Sequence, residues 1–398
     1  MEIAHATPTL ADEHPEMYYS GVYWNSYEYV FEELNTRVGG GRRDHWFQHF
    51  HKQVGGRRFK KALILCCGNG WVERAMYEQG MFEEAVGVDY VGALLDHARA
   101  ASPGWPLRYY QMDINTAAFP EGGFDLIVNH AAAHHITALD HVFRTLAALL
   151  PDDGYFVSFD YVGPHRNQYP LLHWAAVHEL NDSLPPQLRQ ELAYPHLPTM
   201  IAGDPTEAVH SELIVPVMRR YFAVEQQRHV GGALAYPLLT HNQRFFDAPE
   251  PERDRWLRRI MAADAAYVAA FPESSLFDYL AARPARAALA DRQRLALWSA
   301  DEERRERLAR QHGGRYHTSA AEYGLAPAPA APLPPDLAPL VAALRRECAW
   351  RRETMEHLLA DRDWLRLRLS ELEPAWRRVD AHPLAAAWRT LRRALRRS

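Results

Sequence analysis

The sequence predicts an α/β fold in which a mostly parallel sheet carries helices on both faces. An apolar run at residues 62–65 is typical of a buried parallel strand. A tight turn through Gly68 and Gly70 follows this run, and residues 71–80 have a helical spacing that ends at a glycine. Strand and helix patterns then alternate to about residue 163, which indicates a Rossmann-like sheet.

Acidic and polar residues are predicted at the ends of successive strands. Asp89 ends the second strand, about twenty residues past the glycines, where a carboxylate in a βαβ unit meets ribose hydroxyls. Asp113 follows the third strand, Asn129 and His130 end the fourth, and Asp160 ends the fifth. Because ligands bind at the carboxyl ends of parallel strands, this series indicates a nucleoside-binding site rather than a plain turn.

The order of these motifs resembles the class I S-adenosylmethionine (SAM) dependent methyltransferases. In that family the glycine turn wraps the methionine part of SAM, the first acid binds ribose and the second lies beside adenine. The resemblance departs at Ile64, where an acidic residue is usual, and at Cys66, where the first glycine of the motif is usual. It implies SAM as the cofactor. The residues that it assigns to the cofactor are Cys66, Cys67, Gly68, Gly70, Asp89, Tyr90, Asp113, Ile114 and Asn129.

Composition limits the class of protein. The chain has 398 residues, 47% of them apolar, which fits one large domain with appendages. A net charge of −5 gives no bulk attraction to nucleic acid, so we expect no nucleic-acid partner. The three cysteines show no pairing pattern, and no leader or membrane-spanning run is visible, so we expect a cytoplasmic protein. The preference for arginine over lysine indicates a bacterial genome of high GC content.

The N-terminal region is predicted to be disordered over residues 1–17 and to form a helical cap over residues 18–58. The cap is rich in aromatic residues, which favours either a packed cap or a cover over the SAM pocket. The spacing of Trp24, Arg37 and Trp46 is similar to the cap of a bacterial methyltransferase subgroup associated with surface-polysaccharide glycosyltransferases. Arg37 is expected either to pair with a carboxylate or to lie solvated on a helix face.

His130, His134 and His135 follow the fourth strand, where an acceptor atom would face the SAM methyl group. A histidine titrates near neutral pH and can accept the proton of an attacking hydroxyl. A packing or backbone-binding role is the alternative for each. The resemblance makes His134, His135 and Asp160 the candidate catalytic bases. No metal ligand is predicted.

Residues 160–168 resemble the acidic-Tyr-Val-Gly-Pro-x-Arg-x-Gln stretch of the same subgroup. An aspartate replaces the usual glutamate, and Asn167 replaces an aromatic residue, which indicates a changed acceptor. The residues assigned to the acceptor are Trp24, His130, Tyr161, His165 and Arg166.

An insertion rather than further sheet is predicted at about residues 169–247, with a strand-like stretch at residues 222–224. By resemblance it closes over the acceptor as a lid, and the alternative is a packed subdomain that does not contact the substrate. Together with the sheet it completes a catalytic domain at residues 59–284.

The C-terminal extension has three predicted parts, which are a helical segment at 285–324, a proline-rich linker at 325–336 and a long helix at 337–398. The long helix has an imperfect heptad pattern, so it is either a coiled coil that makes a homo-oligomer or an isolated solvated helix. Its last residues, 376–398, form a basic amphipathic helix. This tail either contacts an anionic membrane or docks on its own domain.

The sequence therefore predicts an enzyme that O-methylates a sugar or glycan hydroxyl by direct transfer from SAM. Methylation of a small specialised metabolite at O, N or C is the first alternative, and a closed aromatic acceptor cleft would favour it over an open polar one. A non-catalytic scaffold, supported only by Ile64 and Cys66, is the second. Nucleic-acid methylation ranks lower, because no basic stripe precedes the tail.

Overall fold

The structure is a computed structural model that describes residues 21–311 and Ala349. Residues 21–311 lie within one unit of the chain, Met1–Leu340. The predicted disordered N terminus, the proline-rich linker and the basic tail with its membrane and oligomer hypotheses lie outside the described residues.

Seven strands form one sheet in the described residues, in the order β3-β2-β1-β4-β5-β7-β6. Neighbours among the first five pair in parallel, whereas β7 is antiparallel to both β5 and β6. The predicted, mostly parallel Rossmann-like sheet is confirmed. The strands are β1 (Phe59–Leu65), β2 (Phe82–Asp89), β3 (Leu107–Gln111), β4 (Leu126–His130), β5 (Tyr155–Tyr161), β6 (Phe222–Gly231) and β7 (Phe277–Pro284).

Helices cover both faces of the sheet. Those that precede or connect the first five strands are α1 (Glu28–Val38), α2 (Trp46–Gln53), α3 (Trp71–Glu78), α4 (Gly92–Ala101) and α5 (Leu139–Leu149). Those of the insertion and the segment before β7 are α6 (Leu171–Asp182), α7 (Leu197–Gly203), α8 (Ile214–Tyr221), α9 (Ala235–Leu239), α10 (Gln243–Phe246) and α11 (Glu250–Ala270). The last two are α12 (Arg286–Ala290) and α13 (Arg292–Gln311).

The alternation of side chains along β1 divides the core into two layers. Ala62 and Ile64 belong to the cluster on one face, and Leu63 and Leu65 belong to the cluster on the other. Because both faces of the sheet are covered at this strand, residues 62–65 are all apolar. Ile64, which stands where the resembled family has an acid, is 1% exposed and is part of the packed core.

The N-terminal cap packs against the sheet. Trp46, at the start of α2, is buried in the same core cluster as Ile64. Arg37 of α1 lies 2.6 Å through Nη1 from Oδ2 of Asp264 in α11, a side chain that is fully buried. Arg37 also donates to the carbonyl oxygens of Val230 and Met261. The expectation that Arg37 pairs with a carboxylate is confirmed.

The expectation that residues 169–247 form an insertion rather than further sheet is wrong for β6, which begins at the strand-like residues 222–224. This strand pairs with β7 and with no other strand in the described residues, so it forms an edge of the sheet. Its middle carries Gln226, Gln227 and Arg228, which are not apolar because one side of an edge strand meets solvent. No helix of the described residues is both long enough and apolar enough to cross a membrane.

Candidate active site

The turn after β1 carries three residues with positive φ, Cys66 (42°), Gly68 (56°) and Gly70 (78°). A Cβ on Gly70 would lie 2.9 Å from Cβ of Ala98 and 2.9 Å from the hydroxyl of Tyr109, so only glycine fits there. Cys66 adopts the left-handed conformation that glycine adopts freely, which explains why glycine is usual at this position in the resembled family.

Asp89 joins the ends of β1 and β2. Its Oδ2 accepts the N–H of Gly68 at 2.8 Å, and its Oδ1 accepts the N–H of Val91 at 2.8 Å. Burial raises the pKa of Asp89, while the backbone N–H groups lower it. Each carboxylate oxygen has a further lone pair, so Asp89 can also accept ribose hydroxyls.

The other predicted cofactor residues around β2 and β3 differ in exposure. Tyr90 follows Asp89 and is 51% exposed, which leaves its flat ring accessible to a ligand. Asp113 is exposed and caps the turn Ile114–Thr116 by accepting the N–H of Asn115 at 2.9 Å. Ile114 and Cys67 are buried in the core on opposite faces of the sheet. Asp89, Tyr90 and Asp113 are therefore the predicted residues whose side chains suit a nucleoside.

His130 at the end of β4 lies among aromatic rings. Its ring stacks on Trp46 of the cap with centroids 5.6 Å apart, and it meets Trp71, directly after the glycine turn, edge-on at 5.1 Å. Burial lowers the pKa of His130 to about 4, so the ring is neutral. Its buried Nδ1 has no hydrogen-bond partner in the described residues, which leaves this atom available to a ligand beside the glycine turn.

The side-chain amide of Asn129 forms its hydrogen bonds within the protein. It is fully buried, its Nδ2 donates to Ser158 and Asp160 at 2.8 Å each, and its Oδ1 accepts the N–H of Ala133. Its amide is thus occupied by the protein, because the side chain points between β4 and β5 rather than toward the cofactor turn. The side chain of Asn129 therefore positions Ser158, Asp160 and Ala133.

Asp160 at the end of β5 is likewise fully buried. It accepts the N–H groups of Ala133 and Tyr161 at 2.7 Å each and lies 2.6 Å from Nδ1 of His134. Burial alone would raise the pKa of Asp160, but the charge of His134 and these hydrogen bonds hold it below its usual value. The prediction that Asp160 is a base is corrected, because a carboxylate enclosed in this way orients His134 and cannot reach an acceptor.

The two adjacent histidines face one glutamate. Nε2 of His134 lies 3.8 Å, and Nε2 of His135 lies 3.9 Å, from Oε2 of Glu207. Burial by itself lowers the pKa of His134, but the charge and hydrogen bond of Asp160 raise it to about 9. Burial and the neighbouring charge of His134 lower the pKa of His135. The pair therefore consists of one protonated and one neutral imidazole at neutral pH.

Glu207 is a site residue that the sequence did not identify. The loop before it is shaped by Asp204, whose Oδ1 accepts the N–H groups of Thr206 at 2.8 Å and of Glu207 at 3.2 Å. The N–H of Val209 donates to the carbonyl oxygen of His134 at 3.1 Å, which docks the loop on the histidine pair. The Asp-Pro-Thr-Glu-Ala stretch was the available signal, but nothing in its spacing relates it to residues about 70 positions earlier.

Arg166 and His165 hold the same loop and are corrected as acceptor ligands. Nη1 of Arg166 donates to the carbonyl oxygens of Asp204 and Glu207 at 3.1 Å each. His165 is bonded through Nδ1 to the carbonyl oxygen of Val209. Both side chains are at least 97% buried, because carbonyl groups of a folded-back loop need donors inside the protein.

Aromatic rings form the wall opposite the histidine pair. The Trp24 ring stacks on Phe277 with centroids 5.0 Å apart, and Tyr236 lies edge-on to both. Tyr161 joins this wall at 5.6 Å from Phe277 and lies 6.4 Å from the ring of His134. The charge of Glu207 raises the pKa values of Tyr161 and Tyr236, after burial as the larger cause, so this wall lies near Glu207. Tyr161 and Tyr236 therefore lie near Glu207, and Trp24 packs behind them on Tyr236 and Phe277.

The residues present fit SAM as a cofactor. Asp89 can accept hydroxyl groups, Tyr90 exposes a flat ring, Gly68 and Gly70 let the backbone approach a ligand, and the Nδ1 atom of His130 is unpaired in the described residues. All four features lie at the carboxyl ends of β1, β2 and β4, where ligands of such sheets bind.

Part of the chain is similar to known methyltransferases. Residues 63–158 match the family model described as "Methyltransferase domain". Uncharacterised methyltransferases of Mycobacterium tuberculosis and Mycobacterium bovis are 29% identical over 116 residues, which is 29% of this chain and 58% of theirs. A demethylmenaquinone methyltransferase of Lactococcus lactis is 22% identical over 233 residues, which is 56% of this chain and 89% of that protein.

Among solved structures, the chain is similar to a SAM-dependent methyltransferase from Mesorhizobium loti. The two superpose with a TM-score of 0.34 and 20% sequence identity, over 56% of this chain and 90% of that one. The chain spans 58% of the length of its mycobacterial relatives. Residues 63–158 thus match a methyltransferase domain, a stretch that runs from β1 to β5 of the mostly parallel sheet, and this match indicates S-adenosylmethionine as the cofactor.

Proposed function

We propose that the protein is a SAM-dependent methyltransferase that methylates a hydroxyl group of a small-molecule or glycan acceptor. The observation that carries this proposal is the adjacency of two clusters at one edge of the sheet. Asp89 and the glycine turn suit the cofactor, whereas His134 and His135 follow β4, the parallel neighbour of β1, and meet Glu207 of the insertion. We assign the catalytic domain to residues 59–284, with the insertion as the part that encloses the acceptor.

SAM supplies a methyl group on a positively charged sulfur, which is a good leaving group, so the protein must mainly align the acceptor and remove its proton. His135 is the base that the geometry favours. Its side chain is 26% exposed and its lowered pKa leaves the ring neutral at pH 7. His134 is protonated at that pH and orients its neighbours together with Asp160.

Glu207 assists this base. Its Oε2 lies 3.9 Å from Nε2 of His135, so its negative charge stabilises the imidazolium that forms when His135 takes a proton. Thr206 holds the other ring nitrogen, since Oγ1 of Thr206 lies 3.1 Å from Nδ1 of His135. The side chain of Glu207 is 36% exposed and can also accept a hydroxyl of the acceptor.

A sugar or glycan hydroxyl is the acceptor that we propose first. The side of the site that carries His135 and Glu207 offers polar groups for several hydroxyls, and the ring of Tyr161 lies 6.4 Å from that of His134. The assignment to the polysaccharide-associated subgroup belongs to this proposal.

A specialised metabolite is the second candidate, and one observation favours it. Trp24 is 3% and Tyr161 is 5% exposed, so the acceptor wall is aromatic and closed, as an apolar acceptor requires. A non-catalytic scaffold is disfavoured by the intact cofactor rim, because Cys66 reaches the glycine conformation without glycine.

Calorimetric titration of the purified protein with SAM, and separately with NAD, tests the function. We expect micromolar binding of SAM and no binding of NAD. Incubation with isotope-labelled SAM and two acceptor sets, nucleotide sugars and aromatic metabolites, then separates the two acceptor classes. Absence of SAM binding in a folded sample would refute the proposal.

A further inference from the structure

We propose that His134, His135 and Glu207 bind a divalent transition-metal ion at the acceptor side of the site. The three residues lie at the carboxyl edge of the sheet, and one ligand atom from each lies within 4.8 Å of the other two. The inference rests on the proposed function for its role and on the geometry of these side chains for its position.

The distances suit a metal ion. Oε2 of Glu207 lies 3.8 Å from Nε2 of His134 and 3.9 Å from Nε2 of His135. In a tetrahedral zinc site with bonds of about 2.1 Å, neighbouring ligand atoms are about 3.4 Å apart. Glu207 therefore needs to approach each histidine by about half an ångström, which rotation of its partly exposed side chain can supply.

Both histidines have the outer partners that metal-binding histidines need. Nδ1 of His134 lies 2.6 Å from Oδ1 of Asp160, and Nδ1 of His135 lies 3.1 Å from Oγ1 of Thr206. In metal sites the second ring nitrogen of a histidine is held in this way by a carboxylate or another oxygen, which fixes the ring orientation. With both Nδ1 atoms held, both Nε2 atoms are directed toward Glu207.

The backbone around Glu207 is equally fixed. Arg166 donates to the carbonyl oxygens of Asp204 and Glu207, and the side chain of Asp204 accepts the N–H groups of Thr206 and Glu207. A loop held from both sides presents its carboxylate in one place, so little ordering is left for the ion to impose.

The ligand set indicates which ion is bound. Two imidazoles and one carboxylate suit Zn²⁺, Fe²⁺, Co²⁺ or Ni²⁺, whereas Mg²⁺ and Ca²⁺ prefer oxygen ligands alone. Three protein ligands leave a coordination position open, as in catalytic metal sites. An acceptor hydroxyl bound there would release its proton to solvent water at a lower pH, so the loaded protein would not need His135 as a base.

Titration of chelator-treated protein with Co²⁺ tests the inference, because histidine-bound Co²⁺ absorbs visible light. We expect one Co²⁺ per chain, displaced by Zn²⁺, and a loss of affinity of at least about tenfold in His135→Ala and in Glu207→Gln. Glu207→Gln changes a partly exposed loop residue, so it stays informative if His135→Ala does not fold. His97→Ala removes an exposed histidine outside the cluster and should leave the affinity unchanged.

The same sample is titrated with SAM without metal. Equal Co²⁺ binding by the native protein and Glu207→Gln would overturn the metal site, and SAM binding in that sample would leave the proposed function intact. Co²⁺ binding that depends on Glu207, without any SAM binding, would support the metal site and refute the proposed function.

Discussion

Oδ1 of Asp160, at the end of β5, lies 2.6 Å from Nδ1 of His134, which follows β4. The two strands are parallel neighbours, so their carboxyl ends lie side by side and residues 26 positions apart meet. This buried contact fixes the ring of His134 and, through the next residue, the place of His135. The histidine pair is thus tied to the edge of the sheet, and Glu207 reaches it from a loop of the insertion.

Replacing Asp160 with asparagine should destabilise the protein by about 3 to 5 kcal/mol, because it removes one charge of a buried pair and turns an amide N–H₂ toward backbone donors. Urea denaturation at pH 7 measures this change. Asp96→Asn is the control, since Asp96 is exposed and pairs only with Arg99 in the same helix. A loss below about 1 kcal/mol would mean that the pair adds no more than a surface contact.

Asp89→Ala should weaken SAM binding by more than about 1 kcal/mol, which is fivefold or more, because charged hydrogen bonds to ribose are lost. Calorimetry gives the dissociation constant, and thermal unfolding shows whether the rim between β1 and β2 stays folded. Asp96→Ala serves as the control in the helix that follows. Unchanged affinity in a folded variant would remove Asp89 from the cofactor site.

Gly70→Ala should abolish SAM binding and destabilise the fold, since its Cβ meets Ala98 and Tyr109 and its φ is 78°. Gly80→Ala separates the effect of the steric contact of the Cβ from the effect of backbone strain at a positive φ. Gly80 also has a positive φ, 70°, but a Cβ there meets nothing within 4 Å. We expect Gly80→Ala to cost about 1 kcal/mol from backbone strain alone and to leave SAM affinity unchanged. Similar effects of both changes on SAM binding would contradict the close-approach argument.

Glu73→Gln should change how stability depends on pH. Burial, the largest cause, raises the pKa of Glu73 from 4.5 to about 7, although a backbone hydrogen bond and Tyr109 lower it. Because the folded pKa exceeds the unfolded one, Glu73 costs no stability below pH 4.5, and its ionisation in the unfolded chain lowers the stability progressively as the pH rises from 4.5 to about 7.

The glutamine variant lacks this titration. Its advantage over the native protein should therefore grow between pH 4.5 and about 8, to at most about 3 kcal/mol. Urea denaturation across this pH range measures the difference. Glu78→Gln, at an exposed position of the same helix, should follow the native curve. A constant difference between native protein and Glu73→Gln at all pH values would show that Glu73 does not titrate in this range.

Arg37→Met should destabilise the protein by about 3 to 5 kcal/mol, because the fully buried Asp264 then loses its counter-charge. Asp264 also accepts the N–H groups of Gly232, Leu234 and Ala235, so its loss of pairing affects the start of α9. Arg42→Met is the control, since the Arg42 side chain is 62% exposed and its pair with Glu32 is solvated. Equal stability losses in the two variants would contradict the expectation that the buried Arg37–Asp264 pair stabilises the protein more than the solvated Arg42–Glu32 pair.

The sequence by itself determined where the first five strands follow one another along the chain, and it placed the glycine turn and Asp89 at the ends of the first two. These features are local: an apolar run, a glycine turn and an acid about twenty residues later describe one βαβ unit whatever surrounds it. The same locality explains why the acids and histidines could be placed at the carboxyl edge of the sheet.

Only the tertiary structure decided which of those side chains can reach a ligand. Asn129, Asp160 and Arg166 are residue types that are common in functional sites. Each of them is buried, however, and its polar atoms form hydrogen bonds within the protein. Glu207 showed the converse, because its relation to His134 arises from a loop that returns about 70 residues later. Long-range packing determines burial and hydrogen-bond partners, and no pattern of neighbouring residues encodes either.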